Sequence, residues 1–331
     1  MNIAVDAMGG DNAPLEIVKG TIMYAEENGD TDITLIGDEK KIYGCAADLG
    51  KEIPKNIRIV HTDVFVTMED DPMVVMKEKN QSSMAIGLKM LKDSEVDAFV
   101  SAGSTGALHA ASTLIVRKIK GIRRSAIATV IPFASPVLML DSGANPTVTS
   151  EILVQWALLG SAYAKKILGI ENPRVGLLNN GTEEHKGTEV VSGAYALLKE
   201  RDDINFVGNI ESKALPFAPC DVLITDGFTG NITLKLIEGM GKFMFSKLKD
   251  VFTANFASKL SYLAVKKQLK GLKNSFDASE YGGAPLLGLL KPVIKAHGSS
   301  KAKDIKNAIR GAVSYASAKI SDDIAAAISR E

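Results

Sequence analysis

Cysteine is scarce in this chain. Cys45 and Cys220 are the only two among 331 residues, and neither belongs to a CxxC pair. That argues against a structural zinc site and fits two buried thiols in a reducing cytosol. Excess charge is absent too: 39 Lys and Arg balance 39 Asp and Glu. No global field therefore favours nucleic acid, and any charge asymmetry must be local. No apolar run reaches the roughly 18 residues that span a bilayer, and the N-terminus leads straight into Ile3-Ala4-Val5-Asp6 without a signal peptide. The expectation is a cytosolic protein that can still lie on a membrane surface.

Several catalytic signatures are also missing. No GxGxxG follows the first apolar run, so the dinucleotide fingerprint is absent. No serine sits in a GxSxG elbow, which disfavours a serine hydrolase. The segment Gly181-Thr-Glu-Glu-His-Lys186-Gly187-Thr188 reverses the Gly-Lys order of an ATP-binding phosphate loop. None of the four histidines makes an HExxH spacing. Asp6, Asp11, Asp141 and Asp226 form no recognisable metal set, and capping or turn roles explain each. No cofactor and no metal are called for.

What is present is a series of short apolar runs alternating with helical segments. The runs are at Ile3–Asp6, Asp32–Ile36, Ile57–His61, Ala98–Val100, Val137–Leu140, Val175–Leu178, Ile204–Val207 and Val222–Ile224. Continuous apolar strands between helices predict a Rossmann-like three-layer α/β/α fold with a mostly parallel sheet. Ligands in such folds bind beyond the carboxyl ends of the strands. Five strand ends carry Gly, Asn, Ser, Thr or Asp clusters, at 6–11, 101–106, 141–146, 179–187 and 226–231. The expectation is one polar, glycine-lined cleft along one edge of a single α/β unit spanning residues 1–331.

Two of these ends suit an anion. Ser101-Ala-Gly103-Ser104-Thr105-Gly106 offers backbone N–H groups, hydroxyls and a following helix start. Asp221 to Lys235 reads as a strand, a turn through Gly227-Phe228-Thr229-Gly230, and a helix with Asn231 at the cap. Asp6, Gly9, Gly10, Asn145 and Gly181 complete the set of candidate substrate-binding positions. Lys186, a cation in a glycine loop, suits an oxyanion or phosphate. His297, in the Gly/Ser loop Lys295-Ala-His-Gly-Ser-Ser300, is accessible and suits a functional role. His61 and His109 read as structural.

One helical excursion, at about 235–277, departs from the global balance. Between residues 235 and 273 it holds nine lysines against Glu238 and Asp250. Phe252, Phe256, Leu260 and Leu263 recur at helical spacing among Lys259, Lys266, Lys267 and Lys270. Such a basic amphipathic helix lies on an anionic membrane, docks an acidic partner, or packs on the core or a second subunit. The tail from Asp304 to Ile328 reads as a routine amphipathic packing helix.

The ordered set AVDAMGGDNAP, SAGSTGA, DSGANP, NNGTEEHKG, TDGFTGNITLK and YGGAPLLG, followed by KPVIKAHGSS, resembles the bacterial acyl-acyl-carrier-protein:phosphate acyltransferase family of phospholipid synthesis. The resemblance covers nearly the whole chain. The family often has His at Asn12, Asn at Ser104, and Val or Ile at Ser142 or Asn180. It implies a fold like those of the isocitrate and isopropylmalate dehydrogenases and the phosphotransacetylases. It also implies a homodimer that makes acyl phosphate from acyl carrier protein thioester and inorganic phosphate, peripheral on the membrane and without a cofactor. The Gly103–Gly106 turn and Lys186 would then hold phosphate, Asn231 would stabilise the thioester oxyanion, and His297 would orient phosphate or assist proton transfer. Three alternatives stand beside it: a phosphotransacetylase acting on coenzyme A thioesters, a decarboxylating dehydrogenase of the same fold, and a non-catalytic membrane scaffold.

Overall fold

The apolar runs become strands because their alternate side chains find cover on both sides. The computed structural model describes residues 1–275, 278–321 and 324. In chain order these form β1 (Asn2–Asp6), α1 (Leu15–Glu27), β2 (Asp32–Gly37), α2 (Glu39–Asp48), β3 (Ile57–His61), α3 (Ser83–Lys92), β4 (Ala98–Ser101) and α4 (Thr105–Ile115). Next come β5 (Ala126–Pro132), β6 (Pro136–Leu140), α5 (Ser150–Lys166), β7 (Arg174–Asn179), α6 (Glu189–Lys199), β8 (Asn205–Glu211) and β9 (Val222–Ile224). The remainder is α7 (Gly227–Thr253), α8 (Phe256–Ser275), β10 (Ala284–Leu287), β11 (Val293–Lys295) and α9 (Ala302–Ala318). The expected excursion is thus two helices, broken at 254–255. Its last residues, 276 and 277, lie outside the described residues, as does most of the expected tail helix beyond 321.

The strands make one sheet in the order β3-β2-β1-β4-β11-β10-β5-β6-β9-β7-β8. Ile3 and Val5 of β1, Leu138 and Leu140 of β6, and Val222 and Ile224 of β9 share a core with α1, α5, α6 and α9. The alternate residue Ala4 packs instead with α3 and α4, and Val137, Met139 and Leu223 pack with Leu234 and Ile237 of α7. Period-two alternation on both faces, each covered by helices, gives the three expected layers.

Three pairings are antiparallel: β11 with β10, β10 with β5, and β5 with β6. Three reversals leave β6, β9, β7 and β8 running opposite to β3, β2, β1, β4 and β11 along the sheet. The five polar strand ends therefore do not line one straight edge. Two of them, at the ends of β1 and β4, form a first half that the end of β11 joins, and three, at the ends of β6, β9 and β7, form a second half. Sequence alone hid this because the expected strands did not include β5, β10 and β11, whose pairings carry the reversals.

Candidate active site

The first half brings three turns together. Asp6, at the end of β1, is 2% exposed and accepts from Ser101 Oγ (2.7 Å) and the Met8 N–H (3.1 Å). Ser101 Oγ in turn accepts from the Gly103 N–H at 3.1 Å. A Cβ on Gly9 would lie 2.7 Å from Gly103 N, so glycine is what allows the β1 and β4 turns to touch. Gly10, at φ +104°, similarly packs on Ala102 and on the Gly298 carbonyl of the third turn. Asp11 N–H donates to that carbonyl (2.8 Å), and Asn12 Nδ2 donates to Ser299 and Ser300 O. Asn12 thereby latches the β1 turn to the loop that carries His297.

Ser104 caps α4, its side chain accepting from the Ala107 N–H, and its carbonyl accepts from Leu108. The N–H groups of Thr105 and Gly106 have no acceptor among the described residues, as a helix start leaves them. Together with the helix dipole they form an anion cradle. His297 is exposed beside it. Its Nδ1 accepts from the Ser299 N–H (3.2 Å) and contacts Ser299 Oγ (2.8 Å). In a neutral ring that places the proton on Nε2, so His297 offers a hydrogen-bond donor.

Sequence reasoning missed Lys295, the last residue of β11. Its side chain is buried, with the residue 7% exposed, and Nζ donates to Ala102 O (3.3 Å) and Ala296 O. Burial pushes its ammonium down to about 8 against the opposing pull of Asp11 and Asp6. The available signal was a lysine inside the apolar run Pro292-Val-Ile-Lys295-Ala.

The second half is organised by Asp141, which is fully buried. Its carboxylate accepts from the backbone N–H groups of Ile127, Gly143, Ala144 and Asn145 and from Asn145 Nδ2. α7 docks directly on this loop. A Cβ on Gly230 would sit 2.0 Å from Asp141 O, and one on Gly227 would sit 2.7 Å from Asp141 Oδ2. Both glycines are thus helical packing positions, where sequence suggested a turn. The cap is Asp226, whose carboxylate accepts from Thr229 N at 2.8 Å. Asn231 lies one turn inside α7 and donates one amide proton to Ser142 O (3.2 Å). This holds the 141–145 loop against α7.

α4 links the two halves. His109 Nε2 lies 3.0 Å from Ser125 Oγ and 3.3 Å from Ser125 O, the carbonyl that also accepts from Asn145 Nδ2 (2.8 Å). Burial lowers the His109 pKa. Ala144 packs on the core that contains Ala107 and Leu108 of α4. The cradle and the Asp141 loop accordingly flank one helix on one face of the sheet. Lys186 is placed elsewhere. It stands with Gly181 at the end of β7, 3.9 Å from Glu183 Oε1, six strand steps from β4. β4 and β7 are not neighbours in the sheet, and no contact joins Lys186 to the Gly103–Gly106 turn among the described residues.

The α/β fold itself defines a class. Solved structures match that fold along nearly the whole chain. A phosphotransacetylase from Streptococcus pyogenes aligns with TM-score 0.62 at 18% identity, covering 97% of this chain and 94% of its own. The EutD phosphotransacetylase from Staphylococcus aureus aligns with TM-score 0.59 at 17% identity over the same shares. The match at this identity is one of fold.

Sequence comparison is more specific. The model of the "Fatty acid synthesis protein" family matches residues 1–322. A phosphate acyltransferase of Geobacillus is 46% identical over 314 residues, 94% of each chain, and one of Caldicellulosiruptor bescii is 43% identical over 316 residues, 95% of this chain and 94% of its own. The chain belongs to this fatty acid synthesis family of phosphate acyltransferases, enzymes of the acyltransferase class. The resemblance expected from its motifs is borne out.

Proposed function

We propose that the chain transfers an acyl group from acyl carrier protein to inorganic phosphate. A phosphate oxygen attacks the thioester carbonyl, the C–O bond forms, the C–S bond breaks, and the carrier thiolate leaves and takes a proton. The products are acyl phosphate and free carrier protein. The observation that carries this reading is the cradle at Ser104, Thr105 and Gly106, with the strand that leads to His297 bonded to Ser101 and Ala102 just before it. Phosphate is already anionic, so holding it in line contributes most. Thr105 and Gly106 N–H groups bind it, and His297 Nε2–H orients it.

The second half serves the donor. Asn231 keeps one amide proton for the thioester oxyanion, and the Gly143 turn beneath it lets the donor approach. Lys186, half-exposed on the same half, contacts the donor's phosphorylated or acidic groups. Assaying acyl phosphate formation by His297→Ala and Lys186→Ala separately tests these roles. Normal turnover in both folded variants would remove the assignment.

The α7–α8 hairpin supplies the partner surface. No helix among the described residues is long and apolar enough to cross a membrane. Phe256, Leu260 and Leu263 of α8 are 83%, 61% and 66% exposed, and with Phe252 they line an apolar groove of about 320 Å³. Lys259 borders it, and Lys266, Lys267 and Lys270 follow on the same helix. We assign this face to the anionic surface of the membrane, with the acidic carrier protein drawn by the same lysines. Phe228, Ile232, Leu236 and Met240 of α7, spaced by four and exposed, suit a second copy in a homodimer. Leu260→Asp combined with Leu263→Asp is expected to weaken binding to anionic vesicles at least tenfold on sedimentation, while acyl transfer from soluble carrier protein persists. Unchanged vesicle binding would place the membrane contact elsewhere.

A further inference from the structure

Lys295 stands beneath all three turns of the cradle, yet the transfer reaction as drawn gives it no role. Its two carbonyl acceptors are informative. Ala102 lies two residues before the Ser104 cap, and Ala296 directly precedes His297. In a planar peptide the N–H points opposite to the C=O. Drawing the Ala296 carbonyl inward turns the His297 N–H away from Nζ, and it has no acceptor among the described residues. Drawing the Ala102 carbonyl inward fixes the peptide whose N–H bonds Ser101 Oγ, and Ser101 bonds Asp6. One ammonium therefore sets the turns from β4 and β11 together, above the buried carboxylate that ends β1.

We propose that Lys295 is a positioning residue whose charged form is the one competent to bind phosphate, so that phosphate uptake is coupled to uptake of a proton at Nζ. The proposal rests on the phosphate reading of the α4 cradle. The charged groups facing Lys295 are Asp6, from β1, and Asp11, from the loop before α1. Burial holds the ammonium at about 8, where an ordinary lysine stays charged two units higher. A phosphate dianion above it favours the charged form. In the free protein the charged fraction falls tenfold per pH unit above this value, and apparent affinity falls with it. Inorganic phosphate is already a dianion there, so its own ionisation does not produce the slope.

Calorimetric titration of inorganic phosphate into the full chain from about pH 7 to about pH 9.5, in two buffers of different ionisation heat, tests this. The wild type is expected to lose about tenfold in affinity over the last pH unit and to take up close to one proton per phosphate bound. Lys295→Arg, whose guanidinium stays charged throughout, is expected to bind with no slope. Lys295→Met, checked for folding by circular dichroism, is expected to bind weakly and equally at each pH. Wild-type binding that is flat to about pH 9.5 leaves the cradle standing and overturns the role of Lys295, as does a Lys295→Met slope like that of the wild type. Absence of phosphate binding at every pH overturns both readings.

Discussion

Asp141→Ala is expected to cost about 4 kcal/mol or more of folding stability. Four backbone N–H groups and one amide converge on this buried carboxylate, and a buried donor left unpaired costs about 1–3 kcal/mol. The alanine variant strands all four backbone donors at once, so even the low end of that range gives the stated loss. Asp141→Asn is expected to fall between wild type and alanine. Its amide oxygen still accepts from one side, while its NH2 opposes the donors of Asn145. Urea unfolding followed by circular dichroism reads both values. A midpoint for Asp141→Ala close to that of the wild type would show that the 141–145 loop is held by something else. The same variant bears on function, because this loop is the seat of α7 and the partner of Asn231.

His297→Ala is expected to lower kcat/KM for phosphate by about 100-fold, which corresponds to about 2.7 kcal/mol of transition-state stabilisation. The size follows from the loss of one donor aimed at a charged reactant in a preorganised site. The direction of its single proton separates two roles. With Nδ1 accepting from the Ser299 N–H, the ring presents Nε2–H and acts as a donor. His297→Gln keeps a donor of similar reach and is expected to recover at least tenfold of the loss. A proton-transferring base is not replaced by an amide, so equal loss in the Gln and Ala variants would assign His297 to base catalysis instead.

The sequence made some of this architecture legible and concealed other parts for identifiable reasons. Val222–Ile224, three apolar β-formers between two aspartates, reads as a buried strand and is one. Gly9, Gly10 and Gly103 read as turn glycines and are the places where turns meet backbone to backbone. Gly227 and Gly230 read the same way, yet they sit in α7, where the absent Cβ admits the Asp141 loop. A glycine that serves tertiary packing leaves the same trace in one dimension as a glycine that serves a turn. Lys186 attracted attention through its glycine-rich setting, while Lys295 did not, because burial of a lysine is a property of the fold. The antiparallel inserts β5, β10 and β11 were equally invisible, and with them the reversal that splits the polar strand ends into two halves.

In the proposed reaction that split would divide the labour, with phosphate at the start of α4, the donor at the Asp141–Asn231 side, and α4 with His109 between them. The most direct test of the whole account is incubation of the protein with palmitoyl-carrier protein and labelled inorganic phosphate. The account predicts labelled acyl phosphate and released carrier thiol in equal amounts, without added cofactor. Failure to form acyl phosphate from the carrier thioester, with efficient formation from a short-chain coenzyme A thioester, would contradict it.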